Sequence, residues 1–317
     1  MKSTAARQSV RPGWVVPFLI AALFILPLQS ALGQDLEPRR WTHLPVGSNT
    51  LALGYAGKET EIYFNPLIGI TDGTGDVNAW IARYNHAFDW GGKTARVDVI
   101  LPYVSGTWQG LVDGEPGRRD INGGGDPLLR LSVNFIGAPA LEGQDYVDFV
   151  TDNPVRTTVG ASLAVTLPMG TYDATELINV GRNRYTLRPQ FGVLHQRGAW
   201  SYEVTTSLLW FTDNDDFFDS ATLAQDPVWA VQGHITRNFS GNFWLGAGLA
   251  YANGGDVAID GAAVDFKVDN VLWNLLASYR ITPNQSVVLA WQQGRTQVDV
   301  GTDVDSWLLS WAYAWGR

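Results

Sequence analysis

The 317-residue chain contains no cysteine. That excludes disulfides, thiol catalysis, thiolate metal sites and an N-terminal lipid anchor on cysteine together. Histidine is scarce, so an imidazole base must come from His43, His86, His195 or His234. No His-x-Ser sequence and no Gly-x-Ser-x-Gly elbow accompanies them, and no catalytic residue is expected. Positive charge is also in short supply: 22 Lys and Arg stand against 31 Asp and Glu, which disfavours a nucleic-acid partner. Past residue 33 there is no long apolar run, so no spanning helix is expected there.

What is present begins with a secretory pattern. Lys2, Arg7 and Arg11 open the chain, and no further charge occurs before Asp35. Between them Val15 to Leu28 is almost wholly apolar, and Ala31-Leu32-Gly33 places small residues two apart. This predicts a signal peptide over 1–33 with Gln34 as the first mature residue. As a membrane anchor the apolar run is too short, since a spanning helix takes roughly 20 residues, and Pro17 and Pro27 interrupt it. Cleavage leaves 19 basic and 31 acidic residues, a net charge of −12.

The chain as a whole is rich in aromatics, with 14 Trp, 11 Tyr and 13 Phe, yet its mean hydropathy is only −0.05. Alternation reconciles the two. Trp307, Leu309, Trp311, Tyr313 and Trp315 alternate with Leu308, Ser310, Ala312 and Ala314. Similar runs occur from Val155 to Leu167, from Trp200 to Trp210 and from Phe243 to Tyr251. Period-2 patterning of this kind predicts strands with one large apolar face. In a soluble β-sandwich, the competing class, a second sheet must cover that face. In a membrane barrel it meets lipid, with Trp and Tyr at the headgroups.

Turn lengths point to the barrel. Short turns near Asp89–Lys93, Gln196–Ala199, Asn238–Asn242 and Thr282–Gln285 alternate with longer polar connections. Those longer connections lie near 65–76, 106–124, 169–184, 213–226, 253–261 and 299–305. Tight periplasmic turns and long extracellular loops have this arrangement. The expectation is an all-β, antiparallel up-and-down transmembrane barrel of about 12 strands over 50–317, in the bacterial outer membrane. Residues 34–49 read as a periplasmic lead-in without an assigned role. Residues 137–154 are long for the periplasmic side and have room for a short helix or a small plug.

Several local sequences also resemble a known family. They are Asn134-Phe135-Ile136-Gly137-Ala138-Pro139-Ala140-Leu141, Leu167-Pro168-Met169-Gly170-Thr171-Tyr172-Asp173, and Leu177 to Tyr185 followed by Arg188-Pro189-Gln190. The strand ending Trp210-Phe211-Thr212-Asp213-Asn214 completes the set. Together they are similar to the outer-membrane family named for the meta-pathway of phenol degradation, from about His43 to the C-terminus. The resemblance implies a barrel that takes up aromatic or other hydrophobic compounds. Such barrels commonly end on an aromatic residue read by the barrel-assembly machinery, whereas here Gly316 and Arg317 follow Trp315.

If the aromatic faces meet lipid, the opposite faces line the lumen. By parity they carry Arg83, Arg96, Asp98, Arg130, Arg156, Arg188, Gln190, Glu203 and His234. On the lipid side an Arg or Lys at midplane costs roughly 2–4 kcal/mol, so these charges belong inside. They form either a mixed-charge constriction on a solute path or a salt-bridged filling that stiffens the barrel. The acids Asp213, Asp215, Asp216 and Asp219 lack the glycine and closing glutamate of an EF-hand loop and read as a solvated loop. Gly123-Gly124-Gly125-Asp126 is followed by no Lys-Ser/Thr pair, so no phosphate loop is expected. No metal or cofactor is expected. The expected partners are outer-membrane lipid, small hydrophobic or aromatic solutes and the assembly machinery. The leading function is a channel or transporter for such solutes. A lipid or ester hydrolase and a closed structural or binding barrel are the alternatives.

Overall fold

The computed structural model describes residues 36–63, 70–112, 114–176, 178–217, 221–264 and 267–316. The predicted signal peptide lies outside the described residues. Twelve antiparallel strands form a closed ring. In chain order they are β1 (Asn49–Tyr63), β2 (Ile70–Trp90), β3 (Lys93–Val112), β5 (Leu128–Pro139), β6 (Val155–Thr166) and β7 (Thr186–Arg197). The ring continues through β8 (Trp200–Phe211), β11 (Val228–Asn238), β12 (Phe243–Gly254), β15 (Val268–Thr282), β16 (Gln285–Thr296) and β17 (Gly301–Trp315). Each pairs with its neighbour, and β1 closes on β17 over a full ladder from Asn49↔Trp315 to Tyr63↔Gly301. Closure leaves no edge strand, and every ladder bond is made within the wall, as a lipid environment requires. No helix among the described residues is long and apolar enough to cross a membrane; strands make the crossing.

The faces separate as the alternation predicts. On β17, Trp307, Leu309, Trp311, Tyr313 and Trp315 are exposed, while Leu308, Ser310, Ala312 and Ala314 are buried. Aromatic side chains gather in two belts on the outside. Tyr55 packs with Trp80 and Trp307, and Trp273 with Trp291, towards the long-loop end. Tyr84, Tyr313 and Trp315 cluster at the short-turn end. Trp307 and Trp315 are eight residues apart on one strand, roughly 26 Å of extended chain. Allowing for strand tilt, that separation matches an apolar band of about 25 Å flanked by aromatic girdles.

The long-loop end carries further structure. β3 outruns the membrane: its inner half pairs with β5 and its outer half with β4 (Glu115–Gly124), which lies end to end with β5 across a break at 125–127. Strands β9 (Asn214–Phe217), β10 (Ala221–Gln225), β13 (Val257–Ile259) and β14 (Ala262–Val264) make a separate small sheet from two neighbouring loops. Residues read as loop at 106–124 are thus largely a strand hairpin. The period-2 signal there is masked by Gly106, Gly110, Gly114 and Gly117, which supply no side chain to either face.

At the short-turn end the 137–154 connection holds one helix, α1 (Gly143–Asp152). It enters through Gly137 in a left-handed conformation (φ 72°), where the Thr157 carbonyl occupies the space a Cβ would need. Tyr146 and Val150, one turn apart, form its buried face. That face rests on His43: the Tyr146 hydroxyl donates to the His43 carbonyl at 2.8 Å, and the His43 ring meets Tyr146 and Phe149 edge-on.

Candidate functional site: a plugged lumen beneath an apolar chamber

A barrel of eight strands is filled by its own side chains, and one of 16–18 leaves an aqueous channel. Twelve strands fall between these, so the wall alone does not fill the centre. In this chain residues 36–44, upstream of β1, fill its inner half. Leu36, Trp41 and His43 are fully buried, and Leu44 packs under Ala52, Ala87, Ala312 and Ala314 at the rim. The segment enters from the short-turn side, where Gly47 N donates to the Ala87 carbonyl and Ala87 N to the Ser48 carbonyl. The lead-in of the sequence reading is therefore an internal plug over 36–44.

Two glycines on the wall make room for it. A Cβ on Gly192 or on Gly160 would fall on the Trp41 indole, so this slot exists only because both positions lack a side chain. Within it Trp41 Nε1 donates to Thr205 Oγ1 at 2.8 Å. Asn134 Nδ2 donates to the Trp41 carbonyl, Asn274 Nδ2 to the Leu36 carbonyl, and His43 Nε2 lies 2.8 Å from the Pro139 carbonyl. Arg39 reaches Thr236 and Asn238 and lies over the Trp244 ring.

The charges join plug to wall. Asp98 on β3 is fully buried, and its carboxylate accepts from Arg83 at 2.7 Å, Arg96 at 3.1 Å and Arg130 at 3.3 Å. Glu37 of the plug binds two of these arginines, Arg83 at 2.7 Å and Arg130 at 2.8 Å. Arg40 of the plug completes the exchange: it lies 3.5 Å from Asp98, donates to Ser132, and its backbone N donates to Glu203 at 3.1 Å. Two carboxylates from different segments thus hold a set of arginines in one charge-assisted network. Each acid covers guanidinium groups that would otherwise sit buried without a counter-charge.

Of the residues predicted to line the lumen, Arg83, Arg96, Asp98, Arg130 and Glu203 meet in or beside this network. His234 is buried opposite Asn274 across Gly248, where a Cβ would strike both. Gln190 accepts from Ser162 at 3.1 Å, and Arg188 is buried on the same wall. Arg156 stands apart: it is half-buried at the inner rim and donates to the Asn153 carbonyl at the end of α1. Sequence reading missed Glu37, Arg39, Arg40 and Trp41. Their signal was the density of charge and aromatic rings in Glu37-Pro38-Arg39-Arg40-Trp41-Thr42-His43, which a solvated lead-in has no use for.

Above the network, towards the long loops, the lumen opens into a cavity of about 380 Å³. Ile81, Ile100 and Leu128 form its floor and Val104, Trp108 and Ile121 one side, while Tyr172 and residues 178–182 cover it. The cover is pinned by Asp126, whose two oxygens accept from Gly170 N and Arg182 N, both at 2.8 Å. The site therefore has two storeys: an apolar chamber on the outer side and a polar, plugged passage on the inner side.

A closed up-and-down barrel with a lipid-matched exterior and a lumen of this build defines an outer-membrane β-barrel protein. The family profile described as "Putative MetA-pathway of phenol degradation" matches residues 54–299, and the chain belongs to that family. Among solved structures, the fold is similar to that of an outer membrane channel from Pseudomonas putida F1, with a TM-score of 0.72 and 21% identity. That match covers 89% of this chain and all of the other. The transport unit of the autotransporter AIDA-I from Escherichia coli is more distant, with a TM-score of 0.52 and 10% identity over 93% of this chain and 95% of that one. No curated protein matches the sequence.

Proposed function

We propose that this barrel carries small hydrophobic or aromatic solutes across the outer membrane. The observation that carries the reading is the apolar chamber inside the lumen, of a size in which proteins hold small molecules (roughly 300–1,000 Å³). A barrel wall gains nothing in stability from an unfilled interior, whereas a solute-handling one needs such a space. On this reading solute enters from the loop side, rests in the chamber, and moves inward past Arg83, Arg96, Asp98, Arg130, Arg188, Gln190, Glu203 and His234 when the plug yields. Membership in a phenol-degradation family supports aromatic solutes.

The plug itself favours a second reading, a closed binding barrel. A hydrolase has less support. His86 is bonded to Asn49, His195 to Thr157 and His43 to a carbonyl, so no described histidine is hydrogen-bonded to a serine. Flux separates the channel from the closed barrel. Liposomes holding the purified protein should admit phenol and benzyl alcohol several-fold faster than empty liposomes, above bilayer leakage. Rates equal to empty liposomes, with the plug in place and with it released, would establish the closed barrel.

A further inference from the structure

The chamber carries a charge pattern opposite to that of the chain. The protein has a formal charge of −9, with nine more acids than bases. Yet Lys58, Arg182 and Arg184 line the cavity, and among the described residues no Asp or Glu does. Asp126, the carboxylate next to it, is turned away and spends both oxygens on backbone N–H groups of the cover. The acids on the adjoining strands sit on other faces. Glu59 and Glu61 alternate out of phase with Lys58, and Asp303 and Asp305 pair with Arg295.

Lys58 is the telling residue. It lies on the lumen face of β1 between Ala56 and Thr60, is only 8% exposed, and has no hydrogen bond or ion pair among the described residues. A buried ammonium is costly without a counter-charge, and its three donors are all unspent. Arg184, in the connection that leads into β7, is half committed: Nη2 donates to Gln225 and the guanidinium lies over Phe211, while Nη1 is buried without a partner. Around these cations the surface is Ile81, Ile100, Val104 and Trp108. Such a lining complements a molecule with an apolar body and one anionic head.

We infer that the chamber is a binding site for small amphipathic carboxylates, with an aromatic or alicyclic body against the isoleucine and tryptophan wall and the carboxylate on Lys58. This rests on the reading of the chamber as a solute site, and narrows the solute from hydrophobic to hydrophobic and anionic. Lys58 supplies the counter-charge and discrimination against neutral analogues; the apolar wall supplies contact area common to both. The cations also set the direction of approach: on the outer strands Arg118, Arg119 and Arg295 are already paired with Asp120, Glu176, Asp303 and Asp305, whereas Lys58 in the chamber has no ion pair among the described residues.

Benzoate and benzamide test this, since they share a ring and nearly a shape and differ in charge. Titration calorimetry on the detergent-purified protein at neutral pH should show benzoate bound roughly tenfold or more tighter than benzamide. Lys58→Met should bring benzoate down to the level of benzamide while leaving benzamide within about twofold, and Lys58→Arg should keep the preference. Each variant must keep the compact gel mobility of the unheated barrel. Equal affinities in the native protein, or a preference that survives Lys58→Met, would overturn the assignment. Benzoate binding that depends on Lys58 without any flux in liposomes would uphold the site and overturn the channel. Flux of both probes without a Lys58 effect would do the reverse.

Discussion

Deleting residues 36–44 should turn a nearly closed barrel into an open pore, with single-channel conductance in planar bilayers rising on the order of tenfold or more. The wall does not need the plug for its own closure, because every one of the twelve strands is paired on both sides and β1 meets β17 without a gap. What the plug supplies is volume. Leu36, Trp41 and His43 are fully buried in space that a twelve-stranded wall leaves empty. A milder variant gives the same test with the chain intact. Gly192→Leu puts a side chain where the Trp41 indole sits, so the indole must leave its slot and lose its bond to Thr205. That variant should show frequent opening and faster proteolysis after Arg39 or Arg40. Unchanged conductance in both variants would mean that something other than the plug closes the lumen.

The second large effect concerns Asp98. Its carboxylate lies within 3.5 Å of Arg40, Arg83, Arg96 and Arg130 and is shielded from solvent. Asp98→Ala removes the carboxylate through which the wall pairs with these four arginines, while Glu37 of the plug still pairs with Arg40, Arg83 and Arg130 and Glu203 still accepts from the Arg40 backbone. Breaking a buried pair by removing one partner costs about 3–5 kcal/mol, because the surviving charge has lost its compensation. Urea unfolding of the barrel in detergent should therefore show a loss of that order. Asp98→Asn should fall between, since it keeps a hydrogen-bond acceptor without the charge. A loss below about 0.5 kcal/mol, the level of ordinary surface substitutions, would mean water enters the network and screens it.

Much of the fold is legible in the sequence because a lipid-facing wall forces strict alternation. Trp307 to Trp315 could not be arranged otherwise: each large residue on the odd face has a small or polar neighbour on the even one. Strand order follows from turn length, since two-residue turns such as 91–92, 198–199 and 283–284 leave no choice of partner. Parity also selects the inward charges, and Arg83, Arg96, Asp98 and Arg130 do meet.

The plug was not legible for a physical reason. It has no period, because its contacts are irregular: a ring in a slot between two glycines, carbonyls capped by Asn134 and Asn274, and ion pairs to separate strands. Only folding brings Glu37 beside Arg83 and Arg130, 46 and 93 residues away in sequence. Arg156 shows the opposite limit. Parity aims it inward as it does Arg130, but its height on β6 puts it at the rim beside α1, and height is what a ±2-residue boundary error hides. Lys58 shares the parity of the lumen residues, but the glycines and alanines of β1 blur the alternation that marks its face.

The absence of cysteine provides the most direct test of the account. Val104 lines the outer chamber, so Val104→Cys places the sole thiol of the protein there. Reaction with a bulky maleimide should abolish most of the protein-dependent flux of phenol into liposomes, while the unlabelled variant and the labelled native protein conduct alike. Flux that persists at full labelling would contradict the account, because solute would then be crossing by a route that does not include the chamber.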